Sequence, residues 1–201
     1  MNLIHQGGFM MWPLLALSIA ALAVMVERFI TLTTTRFPDE DTLRQAFKLA
    51  HIGKTDEAAS MAADAAPAYR KFFAALFDNI TPELHEQHIT QAGEEALFSL
   101  SRRLDFLATV AAAAPLMGLL GTVIGMINAF SRLASSGSVD ITMLSGGIWQ
   151  ALLTTAAGLS IAIPALLAHR LFCRMHAKAA FTLQKAAVDY LTTTGTQEPK
   201  P

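Results

Sequence analysis

The stretch GGIWQALLTTAAGLSIAIP, residues 146–164, is as long and apolar as a membrane span, yet it keeps a glutamine, two adjacent threonines, three glycines and a proline. On a helical wheel these residues are not scattered. A sector of roughly 140° collects Gln150, Thr154, Gly147, Ala165, Gly158, Ala151, Ala162 and Thr155, with only Ile161 intruding. The opposite side carries Ile148, Trp149, Leu152, Leu159, Ile163, Leu166 and Leu167. Such a helix turns its bulk to lipid and its small or polar groups to something else.

A second stretch, LDFLATVAAAAPLMGLLGTVIGMINAF (104–130), repeats the design. A sector of about 120° holds Gly121, Ala114, Gly125, Gly118, Ala111, Ala129, Thr122 and Pro115. Gly121 and Gly125 make a small-xxx-small pair, the spacing that lets two backbones approach closely. A third apolar run, from about Phe9 to Leu32, has no such stripe and reads as an outer helix, with Trp12 at the interface and Glu27-Arg28 near its end.

Composition agrees with three crossings. The chain has 201 residues, 53% hydrophobic and 15% charged, well short of the roughly one quarter that soluble domains devote to charge. Each run reaches the roughly 20 residues that a helix needs to cross a hydrocarbon core. The fold class that follows is an all-α membrane protein with long helical extensions outside the bilayer. The organisation reads as 1–33 outer N-terminus and first span, 34–103 helical segment, 104–130 second span, 131–142 short loop, 143–172 third span, and 173–201 helix and disordered tail. A cleaved signal peptide fits the first run poorly, since no Lys or Arg precedes it and its apolar stretch is too long.

Charge placement orients the chain. Of the 15 Lys and Arg residues, residues 1–27 and the 131–142 loop together hold only Arg132. The positive-inside rule therefore puts the N-terminus and that loop outside, and the 34–103 segment and C-terminus in the cytoplasm. A net charge of −1 argues against nucleic-acid binding. One cysteine, Cys173, excludes an internal disulfide.

The 34–103 segment reads as helical. Asp39 to Asp41 cap a helix over LRQAFKLAHIGKTDEAASMAADA, broken near Gly53 and stopped by Pro67; a further helix covers YRKFFAALFDNI. Thr81-Pro82 is a start signal, and few breakers follow. The pattern predicts one helix from Pro82 to Phe130, roughly 73 Å long, which exceeds any bilayer. The third span is expected to run on through HRLFCRMHAKAAFTLQKAAVDYL.

No catalytic or metal constellation accompanies this, and no cofactor is expected. Gly53-Lys54-Thr55 lacks the preceding glycine of a phosphate loop; His85 and His88 are not spaced like the zinc-protease pair; Asn79-Ile80-Thr81 falls on the wrong side of the membrane for glycosylation. Asp105 and Arg102-Arg103 read as interface anchors. The stripes admit two readings. Helix packing accounts for the glycines and alanines. Gln150, however, needs polar partners in a dry environment, and several copies around an axis could line a cavity with both stripes.

APLMGLLGTVIGMINAF (114–130) and GGIWQALLTTAAGLSIAIP resemble the paired signatures of the MotA/TolQ/ExbB family, most closely its ExbB members, and GGFMMWPLLALSIAALAVMVERF resembles their first span. The resemblance covers most of the chain and is least diagnostic over 38–90. It implies a homopentamer in the bacterial inner membrane around a single-span partner of the ExbD/TolR type. The partner's helix carries a protonatable aspartate, and ion flow energises a TonB-like protein and outer-membrane import, or envelope integrity in the TolQ branch. Thr122 and Thr155 match the family threonines of the ion path, which Gln150 and Thr154 are expected to join. Pro115 and Pro164 match prolines implicated in motion, with Gly118, Gly121, Gly125, Gly147 and Gly158 as packing positions. Gln150 stands where ExbB and many relatives have glutamate, so the resemblance leaves the titrating group to the partner. A non-conducting membrane scaffold is the competing expectation.

Overall fold

The computed structural model describes residues 6–78, 80–136 and 141–195. Seven α-helices and one 3-10 turn occur among them: α1 Met11–Thr34, α2 Glu40–His51, α3 Thr55–Ala65, the 3-10 turn Pro67–Tyr69, α4 Arg70–Leu76, α5 Pro82–Ser101, α6 Leu104–Ser136 and α7 Ile141–Gly195. No strand is present among the described residues. Helices α1, α6 and α7 each contain a stretch long and apolar enough to cross a membrane. Two compact units are present, and the chain passes between them after Arg28, after Arg102 and after Leu171.

The first unit holds most of α1, all of α6 and the first part of α7. Leu14 of α1 packs with Ala114 of α6 and Ala162 of α7, flanked by Leu17, Met117 and Ile161. One further layer joins Ala21, Val110 and Ala165. Alanines at the three-way contacts let the helices approach closely, as dispersion packing in lipid requires. Large residues point the other way: Ile19, Leu22, Leu116, Ile127, Leu152 and Leu167 are exposed on the protomer. The first helix therefore does have a packing face, made of Leu14, Leu17, Ala21 and Met25.

The second unit is held by aromatic packing. Phe72, Phe73 and Phe77 are buried with Tyr69 and Leu76, and Tyr190 near the end of α7 meets Phe77 edge-on with centroids 5.2 Å apart. Local signals set its helix ends. Gly53 takes φ 85°; its N–H donates to the Ala50 carbonyl while the Lys54 N–H donates to that of Leu49, the paired bonds that close a helix through a left-handed residue. Thr81 precedes Pro82 as the sequence predicts, but its hydroxyl makes no capping bond. The His85 ring Nε2 instead lies 3.1 Å from each of the Ala75 and Leu76 carbonyls, terminating α4.

One expectation is corrected. The helix predicted to be unbroken from Pro82 to Phe130 stops at Ser101 and restarts at Leu104. Arg103 there adopts φ 67°, a left-handed backbone, and its guanidinium binds the Glu27 carboxylate, which also accepts from Arg28. No glycine or proline marks the place, so local sequence gives no hint of it. Conversely, Pro115 and Pro164 lie inside helices that continue past them. α6 runs beyond Phe130 to Ser136, and much of the expected 131–142 loop is helical at its margins; residues 137–140 lie outside the described residues, as does the end of the tail from 196. α7 is one helix of 55 residues.

Candidate functional site: the seam of α6 and α7

The glycines of the two stripes face one another within a single chain. A Cβ built on Gly158 would lie 2.5 Å from the Ala114 carbonyl oxygen, and one on Gly118 would lie 2.9 Å from that of Thr154. Gly121 sits against the Thr154 side chain, where a Cβ would come within 2.6 Å of Oγ1. Gly125 meets Ala151 and the Gly147 carbonyl, and Gly147 leaves no room for a methyl beside Ala129. At Gly118, Gly121, Gly147 and Gly158 the approach is closer than Cβ atoms tolerate, so glycine is required there by contact rather than by backbone angle, whereas Gly125 has ordinary van der Waals room for a methyl. Helix packing thus accounts for this part of the stripes.

The polar residues divide three ways. Thr154, expected among the ion-path residues, is fully buried in the seam, and its hydroxyl donates to the Ala151 carbonyl at 2.8 Å. Enclosed by its own chain's helices, it has no open side in the protomer. Thr122 and Thr155 are half-buried and flank the seam. Thr122 Oγ1 donates to the Leu119 carbonyl at 2.7 Å, and Thr155 Oγ1 reaches across to the Gly118 carbonyl at 3.4 Å. The two hydroxyls thus sit on consecutive carbonyls of α6. A hydroxyl that donates once still has lone pairs free, and it can rotate to donate elsewhere, so this pair can serve water or a carboxylate without loss of packing.

Gln150 is half-buried near the start of α7, and its amide rests on the backbone of Gly8, where any Cβ would overlap Nε2. Gly8 has φ 71°, so both space and backbone angle call for glycine there. Next to it, Trp149 Nε1 donates to Gln6 Oε1 at 3.4 Å, and Gly7 packs against Met11 with Leu153 nearby. Residues 6–8, just before α1, thus lie against the beginning of α7. The sequence reading missed this contact, although the adjacent glycines in QGG (6–8) are a signal for it. Missed as well is His169, whose Nδ1 lies 3.1 Å from the Leu104 carbonyl at the beginning of α6. Pro115 is half-buried beside the seam, whereas Pro164 is exposed.

Among the described residues no group of His, Cys, Asp and Glu has the arrangement of a metal centre. Between Asp105 and His169, the parts of α6 and α7 that make the seam contain one ionisable side chain, Arg132, and it lies past the second stripe. The seam itself therefore carries hydroxyls and carbonyls but no titrating group.

Comparison with known proteins decides the family. Residues 56–185 match the MotA/TolQ/ExbB proton channel family, a range that includes both threonine-bearing stripes. The chain belongs to the MotA/TolQ/ExbB proton channel family. An ExbB-like biopolymer transport protein of Synechocystis is 32% identical over 197 residues, covering 96% of this chain and 74% of its own. The Tol-Pal system protein TolQ of Haemophilus influenzae is 46% identical over 80 residues, 39% of this chain and 35% of its own. The biopolymer transport protein ExbB of Xanthomonas campestris is 37% identical over 94 residues, 47% of this chain and 37% of its own. Membership in the MotA/TolQ/ExbB family, together with three apolar helices, makes this a multi-pass membrane protein.

Proposed function

We propose that the protein is the ExbB/TolQ-like subunit of an ion-driven motor in the bacterial inner membrane. Five copies close around the span of an ExbD/TolR-like partner and transmit work to a TonB-like protein serving import across the outer membrane. The observation that carries this reading is the Thr122–Thr155 pair, two half-open hydroxyls on adjacent α6 carbonyls beside a seam that glycines hold shut.

In this mechanism the partner brings the carboxylate, since the seam has none. An ionised carboxylate without hydrogen bonds in an apolar medium costs many kcal/mol. The two hydroxyls rotate from their backbone carbonyls to donate to it, and they release it when it takes up a proton. Ion entry and exit then alternate between a bound charged state and a free neutral one, which lets the partner shift against the ring. Pro115, next to the seam, lacks an N–H and leaves the Ala111 carbonyl without its helical donor, giving α6 a place to flex.

A non-conducting scaffold is the second reading, favoured by the neutral amide of Gln150, and a TolQ-type motor for envelope integrity is its sibling within the family. Flux in vesicles separates them. Reconstituted with an ExbD-like partner, the complex should acidify or alkalinise vesicles under an imposed gradient, and an aspartate-to-asparagine change in the partner's span should abolish this. A bound partner with no flux would leave the scaffold standing.

A further inference from the structure

We infer that the second unit carries a binding site for an anionic phospholipid, in a groove beside the end of α1. The cavity is about 470 Å³ and is lined by Leu32, Arg36, Tyr69, Leu100, Met175 and Lys178, among others. That volume falls within the roughly 300–1,000 Å³ of pockets for organic ligands and far exceeds what a phosphate group alone would fill.

Three properties identify the occupant. The groove has two cations and no carboxylate in its lining, and neither Arg36 nor Lys178 makes an ion pair among the described residues. A neighbouring cavity is balanced by contrast: it sets Glu40 and Asp189 against Arg44 and Lys185, with Lys185 Nζ 3.8 Å from Glu40. Apart from the hydroxyls of Thr35 and Thr182, the rest of the lining is largely apolar, with Leu32, Leu100 and Tyr69 buried, which an inorganic anion cannot use but an acyl chain can. Finally, Leu32 belongs to the last turns of an apolar helix that ends at Thr34, so the cations stand within a few residues of where that helix leaves lipid. A basic pocket beside the cytoplasmic end of a span is the setting in which anionic headgroups are held. Arg36 and Lys178 take the phosphate; Leu32, Leu100 and Met175 take the proximal part of one chain. This site rests on α1 crossing a membrane with its C-terminal end in the cytoplasm, and it is independent of ion conduction.

Native mass spectrometry of the full chain tests it, with the protein exchanged from mixed micelles containing equal phosphatidylglycerol and phosphatidylcholine. Wild type should retain phosphatidylglycerol preferentially. Arg36→Gln with Lys178→Gln should lower its occupancy about 30-fold, while Arg36→Lys with Lys178→Arg keeps it. Ala179→Phe, which fills the groove and leaves both cations, should also release the lipid. Equal retention of both lipids by wild type overturns the site, as does competition by free glycerol phosphate at equal concentration. Undiminished binding in Ala179→Phe would reduce it to surface charge and overturn it too. Helical circular dichroism and an unchanged oligomer mass show that each variant folds, and if the double glutamine variant does not, Ala179→Phe decides.

Discussion

The Thr155 hydroxyl of α7 crosses to the Gly118 carbonyl of α6 at 3.4 Å, while its neighbour Thr154 turns its own hydroxyl back to Ala151. Two residues of the same type, adjacent in sequence, therefore have unlike surroundings: one is closed within the seam and one lies along its edge.

That contrast gives the first prediction. Thr122→Val and Thr155→Val should each lower ion flux by about ten-fold, the equivalent of losing one hydrogen bond to a charged group, with assembly intact. Thr154→Val should leave flux unchanged, because its shape is kept and its bond is local. Paired flux and native-mass measurements check this; equal loss in all three variants would remove the distinction.

The seam should resist any added methyl. Gly158→Ala pushes a Cβ toward the Ala114 carbonyl and Gly121→Ala pushes one into Thr154, both within a packed contact. Overpacking of this kind costs about 1–3 kcal/mol, read as a lower melting temperature in detergent. Gly146→Ala is the control, since nothing lies near its Cβ position, and it should be neutral or slightly stabilising.

At the break between α5 and α6, Arg103 trades backbone comfort for a side-chain contact. Its left-handed φ of 67° costs a non-glycine residue about 1–2 kcal/mol, and its solvent-exposed ion pair with Glu27 offsets little of that. Arg103→Gly should therefore change thermal stability little, whereas Arg103→Val loses the pair and adds branching at a left-handed position, and should destabilise measurably. A Val variant as stable as wild type would show that the break relaxes into a continuous helix.

Asp39, beyond the end of α1, is held below its ordinary carboxylate range of about 3.8, chiefly by the Thr42 hydroxyl donating to it. A carboxyl depressed in the folded state contributes stability that is present above its unfolded pKa and is lost as pH falls through the lower folded value. Thr42→Val should move the Asp39 titration upward, toward the ordinary value, in carbon-detected NMR, and the melting temperature should lose part of its acid dependence below pH 4.

Much was legible in the amino-acid order. Runs of apolar residues fix three helices whatever surrounds them, because an unpaired backbone in lipid is too costly for anything but a helix. The glycine, alanine and threonine stripes at 3.6-residue spacing tell which faces meet other helices, and the turn at Gly53 and the start at Pro82 follow from local backbone chemistry. What the order could not give is how stripe meets stripe. Whether Thr154 or Thr155 is enclosed depends on a rotation of one residue about α7, which only the depth of Gly121 and Gly118 on the facing helix settles. The Arg103 break rests on Glu27, which is 76 positions away in sequence, and the amide of Gln150 rests on Gly8. Contacts between residues so far apart in the chain form only once the helices are packed, so no window of sequence contains them.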